Sequence, residues 1–305
     1  MRSHEILKAT KSPIQAVLLC LLVLTSCTKE QSRIVDHPRL TSAVTMQDVR
    51  FLSPSLQREM TYRVILPANY SSMGRKLPVL YLLHGGGGGD FRDWTNYSDV
   101  AQYAAKGFIL VMPEGNESYY VNSATNPQGR YEDYIIKDLI SDVEQRFPAA
   151  QTPDQRAILG VSMGGFGAVV LGLKHPELFA FVGAMSPAID VPSRPFSIKR
   201  ISQWRHFRAI FGDWKGQHQH ENDPYVLVRS GDVSKAPYFF LTCGDKEGLL
   251  PANRKFDSLL QQHHFQHEFH VVPGGHDWNQ WSAEFPELYR ALYHHLGAAA
   301  NVRIR

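Results

Sequence analysis

Ala157-Ile158-Leu159-Gly160-Val161-Ser162-Met163-Gly164-Gly165-Phe166-Gly167-Ala168-Val169-Val170-Leu171 joins an apolar run to a helical run of small residues across a single serine. The run before Ser162 lacks polar alternation, which predicts a strand buried on both faces, as in a parallel sheet. Glycines stand two residues before and two after the serine, where side chains would collide with the neighbouring strand and helix. A serine on so sharp a strand-to-helix turn has a strained backbone and an exposed hydroxyl. The helix N-terminus also aims its positive dipole end at that point, which favours a developing oxyanion. Gly160-x-Ser162-x-Gly164 is a weak signal by itself. The strand before it and the helix after it are what separate a nucleophile from an idle serine on a structural turn.

Working outward, Leu77 to Leu83, Phe108 to Met112, Phe179 to Met185, Tyr238 to Thr242 and Phe269 to Val272 read as strands of the same kind. Helical patterns lie between them at about 97–106, 133–147, 163–174, 252–264 and 284–296. This alternation predicts a doubly wound α/β fold with a mostly parallel central sheet flanked by helices. Residues 44–66 add two strands joined by a polar turn at Ser53-Pro54-Ser55. Residues 188–235, with Pro192, Pro195, Trp204 and Trp214, break the rhythm. They are expected to form a lid-like insertion over the top of the sheet, after the strand that follows the Ser162 helix; the alternative is a long crossover with no part in binding. Gln217 to His220 reads as a solvated loop. The catalytic domain is expected over 44–297, with a tail at 298–305.

The chain has 305 residues, 43% of them apolar, enough for one large α/β domain and too apolar for wholesale disorder. Lys and Arg number 32 against 29 Asp and Glu, a small excess that gives no reason to propose a nucleic-acid partner. Of Cys20, Cys27 and Cys243, only the last falls in the body, so the domain forms no internal disulfide. Arg2, Lys8 and Lys11 precede an apolar run, Ile14 to Leu24, of signal-peptide length and too short to span a bilayer. Leu24-Thr25-Ser26-Cys27 then resembles a bacterial lipobox, which implies a signal peptide over 1–27, lipid on Cys27, a polar tether over 28–43 and attachment to the bacterial envelope. An ordinary secretory signal with an incidental Cys27 is the plainer alternative.

The remaining chemistry gathers at strand ends. Leu82-Leu83-His84-Gly85-Gly86 ends a buried strand and opens a glycine run. The N–H groups of Gly86 and Met163 are the candidate oxyanion donors, and His84 is expected to hold the loop. Among 14 histidines, His276 follows Val271-Val272-Pro273-Gly274-Gly275 at a strand's carboxyl end, where catalytic groups of such sheets collect. It is the candidate general base. Gly244-Asp245-Lys246-Glu247 offers two carboxylates, either able to orient His276. Trp278 and Trp281 are candidate substrate-binding residues beside His276, while Trp94 reads as core. His263, His264, His267 and His270 read as a solvated face with no accompanying carboxylate pattern, so no metal is expected. Acyl transfer on such a triad needs no cofactor.

With Tyr81-Leu82-Leu83-His84-Gly85, Tyr131-Glu132, Gly160 to Gly165, Asn222-Asp223-Pro224, Gly244 to Glu247 and Gly274-Gly275-His276-Asp277-Trp278, the chain resembles the esterase D, antigen 85 and feruloyl-esterase group of α/β-hydrolases from about Val44 to Leu296. The resemblance implies that fold, a serine esterase activity and a triad in the order serine, acid, histidine. It favours Glu247 over Asp245, because Glu247 stands where the family has the aspartate of G-x-x-D, and it adds Tyr131 as a substrate-binding candidate. The expected substrates are short-chain or aromatic acyl esters, including esters of carbohydrates. An acyltransferase or a thioester hydrolase of the S-formylglutathione type would use the same triad; export argues against formylglutathione, whose pool is cytosolic. A non-catalytic, lipid-anchored binding protein is the reading from a different class.

Overall fold

The computed structural model describes residues 35–300 apart from 196, 197, 199 and 200. The chain divides into a leading unit, Met1–Asp36, and a body, His37–Arg305. The expected signal run, Cys27 and the tether as far as residue 34 lie outside the described residues, as does the tail from residue 301.

Among its described residues the body has eight strands: β1 (Val44–Ser53), β2 (Arg58–Pro67), β3 (Val79–Leu83), β4 (Ile109–Pro113), β5 (Arg156–Val161), β6 (Phe181–Met185), β7 (Tyr238–Gly244) and β8 (His267–Val272). They form one sheet in the order β1-β2-β4-β3-β5-β6-β7-β8. β1 and β2 pair antiparallel, β2 meets β4 antiparallel, and every other pairing is parallel. β3 shows why the apolar runs lack alternation. Val79, Tyr81 and Leu83 join the core on one face, and Leu80 and Leu82 join the core on the other. Both faces are covered, so each position is selected for burial.

One face packs against a helical segment at 131–146 (α3), against α4 (Met163–Lys174) and against α8 (Leu250–Gln262). The other packs against α1 (Asp93–Tyr97), α2 (Ala101–Ala104) and α9 (Trp278–Ala300). Three helix readings change. The helix expected over 97–106 is two short helices broken at Ser98. The one expected over 133–147 is interrupted by a π-helical stretch, Tyr134–Leu139. The last begins at Trp278, earlier than expected, because the Asp277 carboxylate accepts from the N–H groups of Asn279 and Gln280 and caps it. Pro286 lies inside that helix.

The described residues of 188–235 carry a 3-10 turn (Val191–Ser193) and three α-helices, α5 (Ile201–Phe211), α6 (Gln217–His220) and α7 (Pro224–Ser230). Ile210 and Phe211 of α5 pack on Phe166 and Val170 of α4, which seats the segment on the helix that follows Ser162. The expectation of a solvated loop at Gln217 to His220 is corrected. Gln219 is buried, and its amide donates to the Pro192 carbonyl and accepts from the Lys215 N–H. Two elements of the resemblance also prove to be joints of the scaffold. Lys174 Nζ, at the end of α4, bridges the Glu132 carboxylate at 2.5 Å and the Asn222 side-chain oxygen at 3.1 Å. No helix among the described residues is long and apolar enough to cross a membrane.

Candidate active site

Ser162 lies between β5 and α4 with φ 54° and ψ −112°, a conformation that costs a non-glycine residue free energy. The turn is held open by close packing. A Cβ on Gly160 would lie 2.2 Å from the Gly164 backbone, and one on Gly164 would lie 2.3 Å from the Leu83 carbonyl oxygen. These contacts are with backbone and have no flexible end to yield, so only glycine fits. The chain thus crosses tightly between β3 and β5 and leaves Ser162 at the carboxyl edge of the sheet.

Other functional groups follow the ends of other parallel strands at that edge. His276 Nε2 lies 2.8 Å from Ser162 Oγ, and His276 Nδ1 lies 2.7 Å from Glu247 Oε2. The Glu247 side chain is fully buried, while that of His276 is 38% exposed, so the imidazole faces the cleft and the carboxylate does not. The second carboxylate oxygen, Glu247 Oε1, accepts from Ser186 Oγ at 2.5 Å and from the Gly244 N–H at 2.7 Å. A buried carboxylate with three donors is satisfied in its ionised form. Asp245 goes elsewhere. Its Oδ1 accepts from the Gly274 N–H at 3.0 Å and braces the loop that carries His276. Of the two carboxylates considered, the structure brings Glu247 to His276.

Ser186 is a residue the sequence reading missed. It follows β6 with φ 49°, is fully buried, and accepts from Trp281 Nε1 at 2.9 Å while donating to Glu247. The Trp281 ring also stands edge-on to His276, 5.1 Å between centroids at 87°. Trp281 therefore touches His276 with its ring and reaches Glu247 through Ser186. A polar Met185-Ser186-Pro187 step at the end of an apolar strand was the available signal. Burial pushes the neighbouring Cys243 thiol up to about 12, with the Glu247 charge adding to the effect, so the thiol stays protonated.

Gly86 and Met163 line the same cavity as Ser162, and neither N–H has an acceptor among the described residues. A Cβ on Gly86 would touch Met163 Cβ at 3.5 Å, which places the two backbones side by side. His84 is buried and braces the loop: its Nδ1–H donates to the Gly85 carbonyl at 2.7 Å, and its Nε2 lies 2.9 Å from the Gly115 N and 3.5 Å from Glu114 Oε1.

Two cavities meet at Ser162. The larger, about 1180 Å³, is walled by the Gly86 loop, Glu117, Tyr119 and residues of the 188–235 segment, among them Arg194, Trp204 and Phe207. The smaller, about 320 Å³, is walled by Asp93, Asp277, Trp278 and Trp281. Burial pushes the Asp93 carboxyl up to about 6, with the Asp90 charge adding and the His84 ring opposing. Of the candidate binding residues, Trp278 and Trp281 are at the site. Tyr131 is a correction: its ring is buried, its hydroxyl meets Asn116 and Arg58, and it lines neither cavity. The histidine face also changes, since His267 pairs with Asp257 at 3.1 Å and His270 with Glu268 at 2.9 Å. Among the described residues, no three His, Cys, Asp or Glu side chains come together as a metal site.

Comparison with known proteins agrees with this architecture. The chain is 25% identical over 253 residues to an acetyl esterase of Caldicellulosiruptor saccharolyticus, covering 78% of this chain and 94% of that protein. It is 29% identical to the esterase Rv1288 of Mycobacterium tuberculosis, covering 74% of this chain and 54% of that longer protein. Among solved structures, it resembles the fluorophosphonate-binding serine hydrolase F of Staphylococcus aureus, with a TM-score of 0.71 and 25% identity over 83% of this chain and 98% of that one. A ferulic acid esterase gives a TM-score of 0.68 and 25% identity with the same coverage. The family model Esterase, described as "Putative esterase", matches residues 53–292, well over half of the chain. The chain therefore belongs to this esterase family, has the α/β-hydrolase fold and is a serine ester hydrolase.

Proposed function

We propose that Ser162 is the nucleophile, His276 the general base and acid, and Glu247 the residue that orients His276, with the Gly86 and Met163 N–H groups as the oxyanion hole. The observation that carries this reading is the continuous hydrogen-bonded path from Ser162 Oγ through both nitrogens of His276 to Glu247. His276 Nε2 takes the Ser162 proton as Oγ attacks the ester carbonyl. The tetrahedral oxygen gains its charge where the two N–H groups point, and Glu247 stabilises the imidazolium. The imidazolium returns the proton to the leaving alcohol as the C–O bond breaks, leaving an acyl-serine. Water, activated by the same histidine, then releases the acid and restores Ser162.

We infer that the substrates are short-chain or aromatic acyl esters, with carbohydrate esters among them. The names of the acetyl esterase and the ferulic acid esterase support these acyl classes. The open cleft of about 1180 Å³ leaves room for a bulky alcohol. The lipobox-like Leu24 to Cys27 supports action at the bacterial envelope, with the chain held there by lipid on Cys27.

The test is hydrolysis of p-nitrophenyl acetate, butyrate, octanoate and ferulate by the wild type beside Ser162→Ala. Turnover that falls by about 10⁴-fold or more in the variant supports the mechanism. A folded wild type that hydrolyses none of them above the variant overturns it and favours a binding role.

A further inference from the structure

We propose that Glu117 sets the charge preference of the cleft, so that the enzyme disfavours esters whose leaving alcohol carries a negative charge and favours neutral and cationic ones. The inference rests on the esterase reading of the Ser162 site and extends it to a substrate class.

Glu117 sits on the loop between β4 and α3, and that loop is held in a strained shape. Asn116, Tyr119 and Tyr120 have φ of 47°, 55° and 58°. Such backbone persists only where the surroundings over-determine it. Here Tyr120 is fully buried and its hydroxyl donates to the His84 carbonyl at 3.1 Å, while Ser118 Oγ donates to the Gly115 carbonyl at 2.6 Å. The Glu117 carbonyl accepts from His206 Nε2 on α5 at 3.1 Å, which ties the loop to the segment roofing the cleft.

The strained loop presents the Glu117 carboxylate to the proposed oxyanion hole. Its Oε1 accepts from the Gly88 N–H at 2.9 Å. Its Oε2 lies 2.8 Å from where a Gly86 Cβ would be, and that same point is 3.5 Å from Met163 Cβ. The carboxylate is therefore within about one side-chain width of both proposed oxyanion donors, in the wall of the cleft with Ser162. Of the other described titratable groups of that wall, Arg194 pairs with Asp190 at 2.7 Å, Glu247 with His276 at 2.7 Å, and His206 is engaged with the Glu117 carbonyl. Among the described residues the Glu117 carboxylate makes no ion pair, and His206 meets its carbonyl and not its carboxylate, so its charge acts on the substrate.

A unit charge about 5–8 Å away, in the effective dielectric of a partly wet cleft, changes a rate by roughly 3- to 30-fold. Near the oxyanion hole an extra negative charge opposes the transition state. That penalty is the same for every ester, whereas the interaction with the leaving group differs in sign with the leaving group's charge.

The experiment compares three aryl acetates of similar shape: 3-acetoxy-N,N,N-trimethylanilinium, 3-tert-butylphenyl acetate and 3-acetoxybenzoate. Phenol release gives kcat/KM for the wild type and Glu117→Gln, which keeps an acceptor for the Gly88 N–H. Intrinsic reactivity cancels when the cation-to-anion ratio of the variant is divided by that of the wild type. We expect this ratio to fall by about 10-fold or more in the variant, and to shrink in the wild type as salt rises from low to about 0.5 M. An unchanged ratio in Glu117→Gln overturns the proposal, and so does a wild-type ratio insensitive to salt if the variant does not fold. A wild type inert toward all three esters and the p-nitrophenyl panel overturns the esterase reading itself, an outcome distinct from activity without charge preference.

Discussion

Replacing Ser186 with alanine tests the link between the fold and the proposed chemistry. The substitution removes the donor to Glu247 Oε1, leaving that oxygen with only the Gly244 N–H, and it strands the buried Trp281 N–H. A hydrogen bond to a charged group contributes about 1.5–3 kcal/mol, and an orphaned buried donor costs about 1–3 kcal/mol. The variant should therefore lose roughly 2.5–6 kcal/mol of stability. If the first term is expressed in the transition state through a misoriented His276, kcat falls by roughly 10- to 150-fold with KM little changed. The two effects separate in a double-mutant cycle with Trp281→Phe. Removing the indole N–H as well abolishes the orphan, so the double variant should be less destabilised than the sum of the singles by about 1–3 kcal/mol, while kcat stays low. Chemical denaturation and steady-state kinetics on the four proteins provide the measurement. A folded Ser186→Ala variant within twofold of the wild-type kcat, or strict additivity in the cycle, would refute the argument.

Glu247→Gln should lower kcat/KM by about 10³- to 10⁴-fold, by analogy with other triads that lose their acid. Asp245→Asn, which keeps an acceptor for the Gly274 N–H, should stay within about tenfold of wild type; the reverse order would reassign the acid. Asp93 predicts a pH-dependent stability. Its carboxyl ionises near 3.8 when unfolded but holds its proton to about 6 in the fold, so stability falls as pH rises between those values and the deficit is constant above. Asp93→Asn should raise the melting temperature above pH 6, by an amount corresponding to at most about 3 kcal/mol, with the gain vanishing near pH 4; a gain independent of pH would contradict this. Cys27→Ser should move the protein from the membrane to the soluble fraction on cell fractionation, and unchanged retention would count against lipid anchoring.

The strands, the helices packed on them and the turn at Ser162 were legible because local sequence encodes them. Burial on both faces keeps polar residues out of β3 and out of β5 beyond Arg156, and close backbone contact at Gly160 and Gly164 removes side chains altogether. His276 was legible for a related reason: it ends an apolar strand after a Pro-Gly-Gly break. Helix boundaries were less so. Asp277 looks like any loop aspartate until its carboxylate is seen on the α9 N–H groups, and the buried Gln219 looks like a solvated amide in a run of Gln and His.

By itself, then, the sequence determined the sheet class, the strand-to-helix turn at Ser162 and the strand end that bears His276, because these depend on periodicity and backbone sterics within a few residues. Tertiary structure decided which of two carboxylates two residues apart meets His276. It also decided that Ser186, 61 residues from Glu247 and 95 from Trp281, joins them, and that Tyr131 stands away from the cleft. Those outcomes depend on how parallel strands align at one edge of the sheet. The alignment is set by packing on both faces of the sheet, and no local run of residues carries it.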